Sequence, residues 1–322
     1  MALALLLGAA ACASARAAFP EAGRPIKIVV PYSSGGPADK TARDLAAALR
    51  KVLETSVVVE NVAGASGTVG ANKVLQAAPD GYTLLFSHIG MSTAYALYRK
   101  SSDTLDDFEY LGVTSELPMI LIGRLNLEPS TWPELVRWIK ARKGNVTIAN
   151  AGTGSASHMC GLLIQSQVDT QITAVPYKGT SPAMSDVVGG YVDLLCDQSS
   201  TASPQIVAGR VKAIATTRKT RFESPPVMAA IPTMEEAGLK GISFSVWQGL
   251  YAPKGTPHIV LQVLNNAMRQ ALKDPAYVER QRADGATVVT DERMTPEGHR
   301  RLVKSETDKW SAIIKSANGF AD

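Results

Sequence analysis

Short continuous apolar runs alternate along the chain with stretches whose apolar residues recur at three- and four-residue spacing. "IKIVVPY" (26–32) predicts a buried strand, and the segment after it places Ala42, Leu45, Leu49 and Val52 on one helical stripe. "SVVVE" (56–60) predicts a second strand, and "GASGTVGA" (64–71) a glycine-bearing turn that opens a helix. "PDGY" (79–82) is a turn by composition, and "TLLFS" (83–87) predicts a third strand. The pattern restarts near residue 120, where "PMILIG" (118–123) predicts a strand crossing into a second unit. Thr131 and Glu134, with Pro133 in the first turn, predict a capping box for a helix ending near Lys143. The following strands are "VTIAN" (146–150), "ITAVPY" (172–177), "YVDLLCD" (191–197) and "VKAIATT" (211–217), with helices between them, the first over 156–167. "FSVWQGLYAP" (244–253) predicts the return crossing, and the rest is helical over 257–273 and 295–315 around a short strand near 286–290.

Such alternation of strand and helix predicts α/β layers with mostly parallel sheets. Two units joined by crossing segments predict two domains, residues 19–121 plus 246–322 and residues 122–245, with a ligand cleft between them. In open α/β sheets ligands collect beyond the carboxyl ends of strands, at helix N-termini, so the strand-to-helix turns are the places where function is sought.

Composition narrows the classes. Lys and Arg number 33 against 29 Asp and Glu, with no basic block or basic–aromatic interleave, so no nucleic-acid partner is expected. Residues 1–18 read as a secretory signal peptide, an apolar core followed by small residues through Ala15-Arg16-Ala17. Cys12 is a poor match to a lipoprotein site, and no later run reaches the roughly 18 apolar residues of a membrane span. The expectation is an exported, soluble protein. Cys160 and Cys196 are either a disulfide, permitted in an oxidising compartment, or two small buried hydrophobes. No close Cys/His spacing suggests a metal, and no cofactor is expected.

Three turns share a small, hydroxyl-rich composition. "YSSGGPAD" (32–39) carries Tyr32, Ser33, Ser34, Gly35 and Gly36, and "SHIGMST" (87–93) carries Ser87 and His88. "NAGTGSASH" (150–158) carries Thr153, Gly154, Ser155, Ser157 and His158. Glycine admits close approach of a ligand to the backbone, and hydroxyls add donors beside free amides. None of the three contains Lys or Arg, so an anion held there meets neutral donors. One such turn needs no ligand, because Ser, Asp and Gly also cap helices; three together point to a binding cleft. Asp39, in the first turn of its helix, is expected to order the loop rather than meet an anion. The enzymatic alternative is a hydrolase or transferase with Ser155 as nucleophile, His158 as base and Asp197 as orienter. No G-x-S-x-G elbow, P-loop or H-E-x-x-H helix supports it, and "GTGSAS" lacks the third glycine of a dinucleotide fingerprint.

"PYSSGGPAD", "VAGASGTVGANKVLQAAPDGYTLLFS", "VPYKGTSPAMSDVVGGYVDLL", "VAGRVKAIATT" and "WQGLYAPKGTP", in this order, resemble the substrate-binding proteins of tripartite tricarboxylate transporters, the TctC or Bug family. The resemblance implies a periplasmic Venus-flytrap protein, a monomer that closes over a small organic carboxylate and delivers it to membrane permease subunits. It implies that the first and fourth strand-to-helix turns, here Tyr32 to Asp39 and Thr153 to His158, hold one carboxylate. Where relatives usually have Pro-Gly-Gly, this chain has Ser33-Ser34-Gly35-Gly36, and His88 stands where small residues are common. Tyr32, His88 and Trp247 as flat walls suggest an aromatic acid such as the dicarboxylate terephthalate, with protonated His88 serving the distal group. A sensor that reports a ligand to a signalling partner fits the same sequence.

Overall fold

The computed structural model describes residues 19–90, 93 and 107–316. The proposed leader, residues 1–18, and Met91 and Ser92 of the third turn lie outside the described residues. Strand β1 (Ile26–Val30) is flanked by β2 (Val57–Asn61) and β3 (Thr83–His88), both parallel to it. Its side chains alternate between two layers, as a strand's must. Ile26, Ile28 and Val30 pack with Ala42, Leu45 and Leu49 of helix α1 (Pro37–Leu53), the stripe read from the sequence. Val29 faces the other way, into the cluster that holds Ala71 and Val74 of α2 (Thr68–Leu75).

Strand β4 (Phe108–Arg124) links two groups of strands. Its 17 residues span on the order of 55 Å at the usual rise. From Phe108 to Pro118 it pairs antiparallel with β9 (Ser245–Pro253), which also pairs with β3. From Met119 onward it pairs with β7 (Leu194–Gln198) and β8 (Val211–Thr216). Beyond β7 lie β5 (Thr147–Asn150) and β6 (Thr173–Pro176), parallel to one another. The two-residue β10 (Thr287–Val288) pairs with Ser115 and Glu116. The result is a mixed α/β fold of two lobes connected by β4 and β9.

The crossing strand expected over 118–123 therefore begins at Phe108. Glu109, Gly112, Thr114 and Ser115 hid its first half, because they break the apolar pattern. Thr114 is tolerated there because a neighbouring strand satisfies it: buried, it donates through Oγ1 to the Gln248 carbonyl at 3.0 Å.

The second lobe carries α3 (Trp132–Arg142), α4 (Ala156–Val168), α5 (Thr180–Val188) and α6 (Ser199–Val207). Glu134 starts α3 as expected, its carboxylate accepting from the Ser130 and Thr131 amides at 2.9 and 3.2 Å. Cys160 of α4 and Cys196 of β7 form a disulfide. The chain then returns through β9 to α7 (His258–Ala271), α8 (Pro275–Ala283) and α9 (Pro296–Ser316). Helix α8 escaped the sequence reading because Tyr277 is its one buried apolar side chain, so it has no stripe. Asp274 starts it by accepting from the Ala276 and Tyr277 amides. No described helix is long and apolar enough to cross a membrane.

Candidate functional site

Four helices begin at the cleft between the lobes. Helices α1, α5 and α6 start at Gly36, Gly179 and Gln198 without a side-chain cap, which leaves their first amides to other acceptors. Helix α4 starts at Ser155, whose Oγ accepts from the His158 amide at 3.2 Å. The cleft is narrow, with about 20 Å³ of free space, and is lined along this ring of helix starts. Tyr32, Gly36, Pro37 and Ala38 come from the turn after β1, and His88 from the end of β3. Ala151 and Ser155 to Ser157 follow β5, Thr180 follows β6, and Asp197 and Gln198 end β7, with Met119 of β4 behind them. Among the described residues, none that lines the cleft is Lys or Arg. Four helix dipoles aimed at one small space make it electropositive without a cation.

Of the residues read from the sequence, Tyr32, Gly36, His88, Ser155, Ser157 and Asp197 meet here. The others do not line the cleft, for identifiable reasons. Asp39 takes Ser34 and Gly35 for itself: its Oδ2 accepts from the Gly35 amide at 2.9 Å and from Ser34 Oγ at 3.3 Å. Arg43 anchors that carboxylate, and although burial opposes ionisation, Arg43 and the Gly35 amide hold its pKa below the ordinary value. Asp39 thus orders the loop. Ser33 is half-buried, with its Oγ covered beside Gly179. Ser87 lies within β3 opposite Gly249. Gly154 donates its amide to His158 Nδ1 at 3.0 Å, and its carbonyl accepts from Thr93 Oγ1. Thr153 and His158 line a separate hollow between α4, β5 and β6.

Thr180 and Gln198 were not singled out from the sequence. "KGTSP" (178–182) and "CDQSS" (196–200) carry the same strand-to-small-polar signal as the other turns, so composition alone could have found them.

Within the cleft the hydroxyls are ordered. Ser157 Oγ accepts from the Ala151 amide at 2.8 Å and lies 3.0 Å from Ser155 Oγ. Either hydroxyl can be the donor in that bond; when Ser157 donates, Ser155 has its own proton for a ligand. Gln198 accepts from Gln248 Nε2 at 3.0 Å, a bond that ties β7 to β9.

The ionisable groups differ from expectation. The His88 ring stacks on Tyr32, 4.5 Å between centroids and 8° between planes, and its Nδ1 accepts from the Gly90 amide at 2.9 Å. Complete burial lowers its pKa to about 4, so it is a neutral wall rather than the protonated donor foreseen for a distal carboxylate. Trp247 packs edge-on against His299 and is absent from the lining, so the three flat walls do not assemble. The Ser155–His158–Asp197 constellation does not assemble either. His158 Nδ1 is committed to Gly154, and Asp197 accepts from the Gln198 amide at 2.8 Å and from Thr201 Oγ1 at 2.5 Å. Burial raises the Asp197 pKa to about 6, against the lowering effect of those hydrogen bonds and of Thr180.

The lobes are apposed around this space. Thr93 donates across to the Gly154 carbonyl, and Lys40 bridges the Ser200 carbonyl and Asp284. A wider hollow continues past Tyr32 and Ala151 toward Ser66, Tyr177 and the exposed Lys178.

The family model described as "Tripartite tricarboxylate transporter family receptor" (TctC) matches residues 41–319. Among solved structures the chain is similar to the periplasmic binding protein BugD, at 40% identity and TM-score 0.87, covering 92% of this chain and 98% of that one. It is also similar to MatC from Rhodopseudomonas palustris with bound malate, at 35% identity and TM-score 0.85, covering 91% and 99%. A third is R. palustris Rpa4515 with adipate, at 30% identity and TM-score 0.85, covering 92% and 98%.

Proposed function

The chain belongs to the TctC family of tripartite tricarboxylate transporter receptors, and from that premise we propose that it captures a small organic carboxylate in the periplasm and hands it, unchanged, to the permease subunits of such a transporter. It acts as a monomer after removal of residues 1–18, and its lobes are the domains 19–121 plus 246–322 and 122–245. The partner exchange along β4 at Pro118 and Met119 supports a boundary close to that one.

The observation that carries the reading is the convergence of α1, α4, α5 and α6 on a cleft that no Lys or Arg lines among the described residues. Such a site holds a carboxylate by main-chain amides and hydroxyls, firmly enough for capture and weakly enough for release. We assign the contacts to Gly36, Ser155 and Thr180 for the anion and to Tyr32, His88, Asp197 and Gln198 for the rest of the ligand. Malate in MatC and adipate in Rpa4515 favour an aliphatic dicarboxylate of four to six carbons. Lys178 at the rim of the wider hollow suits its distal group.

A thermal-shift screen of organic acids tests this, because a ligand that binds only the folded state raises the melting temperature as its concentration passes Kd. Succinate, malate, adipate and, as the flat member, terephthalate are the informative set. Recovery of the acid unaltered from the complex supports capture; its conversion would instead revive the hydrolase reading.

A further inference from the structure

Among the described residues Asp197 is the one charged residue lining the cleft, and its side chain is completely buried at the end of β7. An ionised carboxylate in such a place is costly unless it is paired. Among the described residues no Lys, Arg or His pairs with it. Its two hydrogen bonds, from the Gln198 amide and Thr201 Oγ1, leave acceptor capacity on both oxygens. The neighbouring Thr180 Oγ1 is buried and makes no hydrogen bond of ordinary length. A carboxylate ligand therefore enters a space that attracts one anion through four helix starts and already contains another.

We propose that Asp197 determines ligand class by accepting a hydrogen bond from a hydroxyl or ammonium group beside the ligand's carboxylate, so that the cleft takes hydroxy- or amino-carboxylates in preference to unsubstituted ones. The inference rests on the carboxylate reading above and refines it. A donor on the ligand satisfies the buried charge where a bare hydrocarbon would leave it facing carbon and a second anion. The Asp197 pKa of about 6 leaves the group mostly ionised at pH 7.5, where the requirement is strongest. Hydroxyl and ammonium share the donor chemistry, and the ligand's own charge separates them: an ammonium gains the full ion pair, a hydroxyl only the charge-assisted bond.

Calorimetry at pH 7.5 with succinate, L-malate and L-aspartate, on the wild type and on Asp197→Asn, tests the proposal. The wild type is expected to bind malate or aspartate about tenfold or more tighter than succinate, the discrimination of a charge-assisted hydrogen bond. In Asp197→Asn that ratio should shrink about fivefold or more, chiefly because succinate binds better once the like charge is gone. Equal wild-type affinities overturn the proposal, and that arm needs no variant to fold. An unchanged ratio in a folded Asp197→Asn overturns it as well. Failure of every acid to bind would sink the carboxylate reading itself, a result distinct from binding without discrimination.

Discussion

Gly179 shows how closely single atoms set the cleft. It has φ +156°, and an added Cβ would land on Ser33, a residue of the opposite lobe, within 3 Å of its amide nitrogen and its own Cβ. Gly179→Ala should therefore oppose closure. Ligand affinity is expected to fall at least about tenfold, with a smaller loss of ligand-free melting temperature from the backbone strain. Ser33→Gly in the same chain should restore part of the affinity; no recovery would mean that the lobes do not meet at this point during binding. His88 makes the converse case. As a neutral ring stacked on Tyr32 it discriminates by shape, so His88→Ala should weaken mono- and dicarboxylates alike, by roughly 1–2 kcal/mol. A selective loss for dicarboxylates by calorimetry would return it to the role of distal donor. The small residues of the turns were legible because their composition interrupts apolar strands abruptly. The capture of Ser34 and Gly35 by Asp39 was not, since it depends on which acceptor reaches those groups first in three dimensions.

At the scale of elements, the Cys160–Cys196 bridge fastens the helix that begins at Ser155 to the strand that ends at Asp197 and Gln198. Two walls of the cleft are thus held by one covalent link. Replacing both cysteines with alanine should cost about 3–4 kcal/mol in urea unfolding, as expected for a 36-residue loop. The same change should weaken ligand binding, because the relative placement of the Ser155 and Gln198 turns is released. Full affinity in the alanine pair would show that core packing alone positions them. The bridge was an open alternative in the sequence, where spacing cannot reveal which elements are neighbours. Strand β1 and helix α1 were legible because each buries a regular face. The first half of β4 was not, because a strand covered on both sides can accept Thr, Ser and Gly wherever adjacent strands supply hydrogen bonds.

For the molecule as a whole, acid stability follows from its buried histidines. Burial lowers the pKa of His88 to about 4 and of His299 to about 3, and lowers that of His158. Each is neutral when folded and takes up a proton more readily when unfolded, so its contribution is fully present above about pH 6.5 and is lost as pH falls toward 4. Asp197 runs the other way. Its folded pKa is raised, so its contribution is fully present below about pH 4 and lost as pH rises through about 6. The ligand-free melting temperature is expected to fall between pH 6.5 and 4 because the three histidines, with carboxylates held below their ordinary range such as Asp39, outweigh Asp197, Asp44 and Asp284, whose pKa burial raises. Asp197→Asn should make that fall steeper and should stabilise the protein at pH 7.5, by at most about 3 kcal/mol. A melting temperature flat across this range would show that the histidines gain compensating partners on protonation.

The ring of helix starts has a consequence of another kind. A main-chain amide belongs to every amino acid except proline, so the share of the proposed grip that amides supply is set by the path of the chain and not by the identity of its side chains. Substitution can reshape the walls at Tyr32, His88, Asp197 or Gln198, and exchange one ligand for another, while the amide share of that proposed hold passes from one sequence to the next.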